Sequence, residues 1–335
     1  MKFHIVMSTL VLIFLFSTIV FAQKPAYRIS EPVTYKNLTI FLIHGKDAIT
    51  KGNILTLQEA MERDILIVYE TSEVNTLAVE NVSKEYQVFI QSGDIVKGGK
   101  QDRVLAVSIL IPAMSGRIEI ASFCVESGRW EKRGREDAGK FSSSNDRIVS
   151  KDLKIAANKT KSQQEVWAKV GEAQGKLSRN VGGTVNSGVS ATSLQLSLED
   201  KKVTATVDEY INKLSAAIAG KNDVVGYAFA INGKINSADV YVSNALFKKL
   251  WPRMLKASAV EAVAELDGRS KIYAAAPKSA SVTEFMEESE KGRAQEKRGP
   301  GKTMVTTRES KENVVFEARD EKADAVIHKS YVKIQ

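Results

Sequence analysis

The chain has 335 residues, 43% of them hydrophobic and 26% charged, an ordinary globular balance with length enough for one large domain or two closely packed ones. Its single cysteine, Cys124, excludes an intramolecular disulfide, so stability has to come from core packing. With 48 basic against 40 acidic side chains the formal charge is +8, which favours acidic partners, but the cations are scattered and no nucleic-acid-binding motif is present, so nucleic acid is not an expected partner.

At the start, Lys2 precedes an apolar run from Ile5 to Phe21 that closes on Val20-Phe21-Ala22. This is the three-part layout of a secretory signal peptide over residues 1–22, cleaved after Ala22. Left uncleaved, the run lies at the lower limit for a membrane anchor and is the chain's one expected contact with a membrane. No cysteine lies near the cleavage point, which excludes a lipoprotein anchor. The expected address is extracytoplasmic, periplasmic or secreted.

Residues 23–37 read as a polar, extended lead-in containing Pro25 and Pro32. A first strand is predicted over Leu38 to Ile43. Thr56 and Glu59 form a capping box ahead of a short helix from Leu57 to Arg63, and the β-branched and aromatic run Ile65 to Tyr69 predicts a strand. Further strands are expected at about Leu77 to Val82, Glu85 to Ile90, Val104 to Ile111 and Arg117 to Val125. Their short connections contain Gly, Ser, Asn or Pro, the pattern of an antiparallel sandwich or partly closed barrel across 38–150.

Beyond Ser162 the period changes. Ser162 and Glu165 suit a cap for a helix reaching about Leu177, and Val203, Val207, Tyr210, Leu214 and Ile218 recur at helical spacing with Asp208, Glu209 and Lys213 outward. Between them, Gly182 to Gly188 reads as a flexible linker rather than a phosphate cradle, since it lacks a lysine. Asn232-Gly233 between two apolar runs, Val224 to Ile231 and Lys234 to Val242, predicts a hairpin with a type I′ turn. Ser243 then opens a helix through Leu246, Phe247, Leu250 and Trp251, and Pro252 either kinks it or begins a second one. Glu284 to Arg298 reads as a charged helix. Thr303 to Ile334 reads as three short strands, with Ala325, Ile327 and Tyr331 on one inward face. The expected fold is α+β: one domain over 38–335, with a β-rich part 38–150 and a helix- and hairpin-rich part 151–335.

Four segments in order carry a family resemblance: Gly98-Gly99-Lys100-Gln101-Asp102-Arg103; Cys124-Val125-Glu126-Ser127-Gly128-Arg129-Trp130; the Tyr227 to Val242 hairpin with Leu246 to Pro252; and Val326-Ile327-His328. Together they resemble the ARG and rhodanese-phosphatase superfamily associated domain, a domain of unknown function, from about Leu38 to the C-terminus. The family name implies company with ADP-ribosylglycohydrolases and rhodanese-like phosphatases, hence ADP-ribose or phosphoester metabolism.

Candidate chemistry gathers between Gly93 and Trp130. Two glycines beside Lys100, Gln101 and Arg103 suit a backbone nest for an anion, and at the next strand end Glu126, Arg129 and Trp130 offer a guanidinium for carboxylate or phosphate and a ring for stacking. The alternative for this corner is a Glu126–Arg129 ion pair with Trp130 covering the core edge. Cys124 is a nucleophile only beside a base, for which His44 and His328 are available; otherwise it fills the core. Paired histidines, paired cysteines and a carboxylate-rich calcium loop are all absent, so neither metal nor cofactor is expected. The leading expectation is an exported domain that binds an anionic small molecule or envelope component through Lys100, Gln101, Arg103, Glu126, Arg129 and Trp130. One alternative is a hydrolase of a phosphoester or glycosyl bond using Glu126 with Cys124 or His328, and another is a structural envelope protein.

Overall fold

The computed structural model describes residues 27–49, 53–147, 150–267 and 272–334; the expected leader, residues 1–22, lies outside the described residues. Strands β1 (Arg28–Ile29) and β2 (Val33–Tyr35) both pair with β3 (Leu38–His44), so the lead-in is extended because its backbone groups are used along that edge. The β-rich part then runs through β4 (Ile54–Thr56), α1 (Leu57–Glu62), β5 (Leu66–Glu70), β6 (Thr76–Asn81), β7 (Gln87–Ile90), β8 (Asp94–Gly98), β9 (Arg103–Leu105), β10 (Ile109–Ile111), β11 (Arg117–Cys124) and β12 (Phe141–Arg147). The capping box at α1 forms as expected, with the Thr56 side chain accepting from Glu59 N and the Glu59 carboxylate accepting from Thr56 N at 2.9 Å.

These strands make a six-stranded antiparallel sheet ordered β12-β8-β9-β11-β6-β5 and a three-stranded one ordered β10-β7-β4. The six-stranded sheet curls until its edges meet: Tyr69 bridges Lys140, and Glu70 N donates to Gly139 O at 3.0 Å. The result is a partly closed barrel around Val68, Val79, Ile90, Val96 and Ile120.

Helix α2 (Lys151–Ile155) passes into a π-helical turn over Ala156–Thr160, followed by α3 (Gln163–Asn180), α4 (Leu194–Leu198) and α5 (Lys201–Leu214). Next come β13 (Val224–Ile231), β14 (Lys234–Tyr241), α6 (Asn244–Ala264), α7 (Ser279–Ser289), β15 (Arg293–Arg298), β16 (Thr303–Glu309), β17 (Asn313–Asp320) and β18 (Ala325–Lys333). The β13–β14 turn has φ of 51° at Asn232 and 74° at Gly233, the left-handed pair that the Asn-Gly dipeptide accepts. A nine-stranded sheet ordered β1-β3-β13-β14-β18-β17-β16-β15, with β2 also on β3, ties the first strand of the chain to its last. One face packs Ile40 of β3 with Tyr227 and Phe229 of β13 on α3, α5 and α6; the other packs Phe41, Ala228 and Val240 on Val282 and Phe285 of α7. The architecture is α+β, β-rich first and helix-rich afterwards.

Several expectations differ from the structure. Glu284 to Arg298 is not one helix: α7 ends at Ser289, and β15 pairs with β16 as an exposed edge, where its charged side chains meet solvent. The expected strand Val104 to Ile111 is broken at residues 106–108, because β9 pairs with β11 while β10 turns away to β7. Helix α6 continues as one element through Pro252, so no second helix begins there. Tyr331 does not share a face with Ile327: a register shift opposite Ile327 sends Ile327 to the helix-side core and Tyr331 to the α7 side.

The barrel is locked to α6 by buried charge. Asp94 Oδ1 lies 3.3 Å from Arg147 Nε and 3.3 Å from Arg253 Nη2, and its Oδ2 accepts from Gln91 N at 2.9 Å. Breaking such a cluster from one side strands the other charges away from water. Asp94→Ala is therefore expected to destabilise the fold by about 3–5 kcal/mol in urea unfolding; a loss below about 1 kcal/mol, as for an exposed pair, would contradict the assignment.

Candidate functional site

The corner picked out by the sequence is assembled, and its cations are engaged internally. Gly98 and Gly99 carry φ of 107° and 57° in the β8–β9 turn, and a Cβ at Gly99 would overlap the Phe141 ring, so packing and the turn account for both glycines. Arg103, 0% exposed, donates to Val74 O and lies 3.3 Å from Glu70 Oε1. Lys100 donates to Ser72 Oγ at 3.0 Å and stands 5.2 Å from the centre of the Trp130 ring; the Arg103 guanidinium is 5.4 Å from the same ring. Gln101 is buried.

At the end of β11, Arg129 grips Glu126 with two bonds, Nε to Oε1 at 2.8 Å and Nη2 to Oε2 at 2.6 Å. Arg133 does the same for Asp102, which also accepts from Ser193 Oγ at 3.1 Å. Burial pushes the Glu126 carboxyl up, but hydrogen bonds from Arg129 and Ser190 and the charges of Arg129 and Arg133 leave it below the usual range. It is thus a held anion rather than a proton donor. Helix α3 clasps the same strand end: Gln163 exchanges two hydrogen bonds with the Cys124 backbone, and Trp167 Nε1 donates to Glu126 O at 3.2 Å. The ion pair with Trp130 at its rim is what the geometry shows here.

Cys124 is fully buried, its Sγ 3.9 Å from Val74 O, and burial pushes its thiol up to about 11. Neither histidine reaches it. His44 Nδ1 contacts Asp223 Oδ1 at 2.8 Å near the surface, and His328 lies in a separate cluster.

Of that cluster the sequence singles out His328 alone. On β14 and β18, Asp239 pairs with Ser330 and Tyr241 with His328, so Asp239 and His328 are diagonal neighbours. His328 Nε2 is 3.1 Å from Asp239 Oδ1, and Nδ1 is 3.0 Å from Ser108 Oγ. The ring stacks on Tyr241 at 4.8 Å with Phe89 edge-on at 6.0 Å, and Lys154 Nζ stands 3.7 Å from Asp239 Oδ2. Burial leads in lowering the His328 pKa, against the pull of Asp239, so the imidazole is neutral near pH 7. The Asp239 carboxyl lies far below its usual range: burial raises it, and the Lys154 charge and the His328 hydrogen bond outweigh that. Ser108 was hidden inside an apparently continuous strand. For Asp239 a signal was present: a carboxylate in the apolar alternation of a hairpin arm needs a buried partner.

Ser108 is half-buried and opens on a cleft of about 740 Å³ between the barrel and β15–β17. Ala106, Val107, Phe123 and Phe316 supply apolar wall, Lys159, Lys161, Lys297 and Arg298 supply positive charge, and Glu296, Glu309 and Glu317 line the same cleft. Lys159 pairs with Glu309 and Arg298 with Glu321. Lys161 and Lys297 face each other; burial, then the Lys297 charge, lowers the Lys161 pKa, and among the described residues neither lysine has a carboxylate at ion-pair distance. Among the described residues no group of three or more His, Cys, Asp and Glu side chains is set to hold a metal ion.

The family model for the ARG and Rhodanese-Phosphatase-superfamily-associated Protein domain matches residues 26–332. No curated protein and no solved structure matches the chain.

The buried imidazole sets a pH dependence. Unfolded, His328 takes up a proton below about pH 6.5; folded, it resists until lower pH, so the unfolded state binds more protons and stability falls as pH drops. Asp239 and Arg147 face the ring and keep their charges between pH 7 and 5, and Lys154 stands 3.7 Å from the far oxygen of Asp239. Stability is expected to decline from pH 7 to 5 in urea titrations, with a shallower decline in His328→Gln. An equal slope in the variant would contradict a neutral, buried His328.

Proposed function

We propose that this chain, which belongs to the ARG and Rhodanese-Phosphatase-superfamily-associated Protein domain family, binds a small anionic molecule in the cleft between the barrel and β15–β17. The observation that carries this reading is the meeting of Lys161 and Lys297 on the cleft wall with no carboxylate between them among the described residues. Two ammonium groups held together repel, and an anion bound between them removes that repulsion. At the Lys100–Trp130 corner an anion would instead compete with carboxylates already in bidentate contact. The cleft is therefore the preferred seat, with Trp130, 43% exposed beside Lys100, as a secondary stacking position.

A phosphate or carboxylate on a small organic body suits the cleft, since its apolar walls carry Lys161 and Lys297 unpaired by any carboxylate among the described residues, while Glu309 and Glu317, which also line it, are held by Lys159 and Lys329. The leader-like first 22 residues support an extracytoplasmic setting, where such anions include sugar phosphates, nucleotide fragments and acidic envelope components.

In thermal-shift and calorimetric titrations at low salt, ADP-ribose or ribose 5-phosphate is expected to stabilise the protein, by about 2.7 kcal/mol at a hundredfold excess over Kd. The double variant Lys161→Ala, Lys297→Ala should lose most of that stabilisation. Equal stabilisation by uncharged ribose, or an undiminished effect in the double variant, would overturn the reading. Retention of an envelope protein by wild type and double variant alike, with no anion effect, would favour a structural partner instead.

A further inference from the structure

The geometry points to a nucleophilic relay at the floor of this cleft: Ser108 as nucleophile, His328 as its base and Asp239 as the group that orients the base, acting on a carboxylic ester that carries an anionic group. The choice of an anionic substrate rests on the cleft reading above; the relay itself rests on the three side chains.

Hydrogen-bond chemistry fixes the direction of proton flow. An ionised Asp239 only accepts, so the 3.1 Å contact places the imidazole proton on Nε2 and leaves the Nδ1 lone pair facing Ser108. Ser108 Oγ accepts from Ser92 N at 3.1 Å, which directs its own proton towards Nδ1 at 3.0 Å. Tyr241 and Phe89 hold the ring plane, and a protonated Nε2 requires the Gln91 amide to turn its oxygen, otherwise buried without a partner, towards Tyr241 Oη and His328 Nε2, 2.8 and 3.3 Å from the amide end that faces them. A satisfied core histidine would end among other core groups. This chain of contacts ends at a half-buried hydroxyl on an open wall, and the break between β9 and β10 puts it there. Relative to the serine-protease arrangement the ring nitrogens exchange partners; either nitrogen of a neutral imidazole takes a proton, and the carboxylate selects which one.

In the reaction, Ser108 Oγ bonds to the ester carbonyl carbon as its proton passes to His328 Nδ1. The carbon–oxygen bond to the alcohol then breaks, and the departing oxygen takes the proton from Nδ1. Water attacks the acyl-serine, giving a proton to Nδ1; the Oγ–acyl bond breaks and Oγ recovers that proton. The balance is ester and water to acid and alcohol, with the enzyme unchanged. Lys154 lines a small cavity of about 20 Å³ with Ser108, His328 and Asp239, and its Nζ, 3.7 Å from Asp239 Oδ2, keeps that carboxylate charged behind the imidazole. Lys161 and Lys297 would hold the anionic end of the substrate.

The test is labelling of the purified protein by an uncharged alkyl fluorophosphonate, which forms an Oγ–P bond and expels fluoride, followed by peptide mass mapping. An adduct on Ser108 is expected, absent in Ser108→Ala and formed about 100-fold more slowly in His328→Gln. Thermal melts establish that each variant is folded, and Ser108→Ala, a loss of one oxygen, keeps the test decisive if His328→Gln does not fold. Mono-p-nitrophenyl succinate should be cleaved faster than p-nitrophenyl acetate, with the preference lost in Lys161→Ala, Lys297→Ala. No adduct on Ser108 in folded wild type, or equal labelling of His328→Gln, overturns the relay, even if anion stabilisation persists. Labelling at Ser108 without charge preference overturns the anionic substrate class and the cleft reading, leaving the relay.

Discussion

The interaction on which the rest of the molecule depends is the buried contact of Asp94 with Arg147 and Arg253. Taking three charges out of water costs several kcal/mol per ion, recovered only when each finds its partner in good geometry. Asp94 is on the barrel, Arg147 on its last strand and Arg253 on the central helix of the other part, so the two parts dock in one relative position. The same polar chain continues outward. Gln91, whose backbone caps Asp94, carries a side chain to Tyr241 and His328, and from there the contacts pass to Asp239 and Ser108. A cluster that fixes docking thereby fixes the distance between a serine on the barrel and a histidine and aspartate on the nine-stranded sheet.

Arginines elsewhere show why cations alone do not mark a binding site. Around Glu126 and Asp102 every guanidinium has a carboxylate in bidentate reach, and α3 closes over the strand end. The corner is a clasp between the barrel and the first long helix. Lys161 and Lys297 differ in what is missing: they meet each other where the clasp residues meet acids. Position of the carboxylates separates the two cases.

Features encoded within a few residues were legible in the chain. Asn232-Gly233 announces its turn because few other pairs accept two positive φ values, and Thr56 with Glu59 announces a helix start by mutual capping. Features set by long-range pairing were not. Arg293 to Arg298 has a helix former's composition and becomes a strand because β16 lies alongside it. Ser108 sits in a run of strand-forming residues, and nothing local reveals that β9 and β10 pair with different sheets. The residues around Glu126 converge as their types implied, yet their mutual satisfaction depends on Arg133 and Ser193, which arrive from further along the chain.

Only a neutral His328 with its proton on Nε2 offers Nδ1 to Ser108, so the tautomer is the centre of the relay. Histidine-selective ¹⁵N labelling and two-bond correlation spectra read it directly, and with three histidines in the chain His328→Gln assigns the signal. The expected result is a protonated Nε2 and an unprotonated, hydrogen-bonded Nδ1, unchanged between pH 8 and 7, because burial lowers the ring's pKa below its ordinary value. A proton on Nδ1, or an imidazolium in that range, would contradict it.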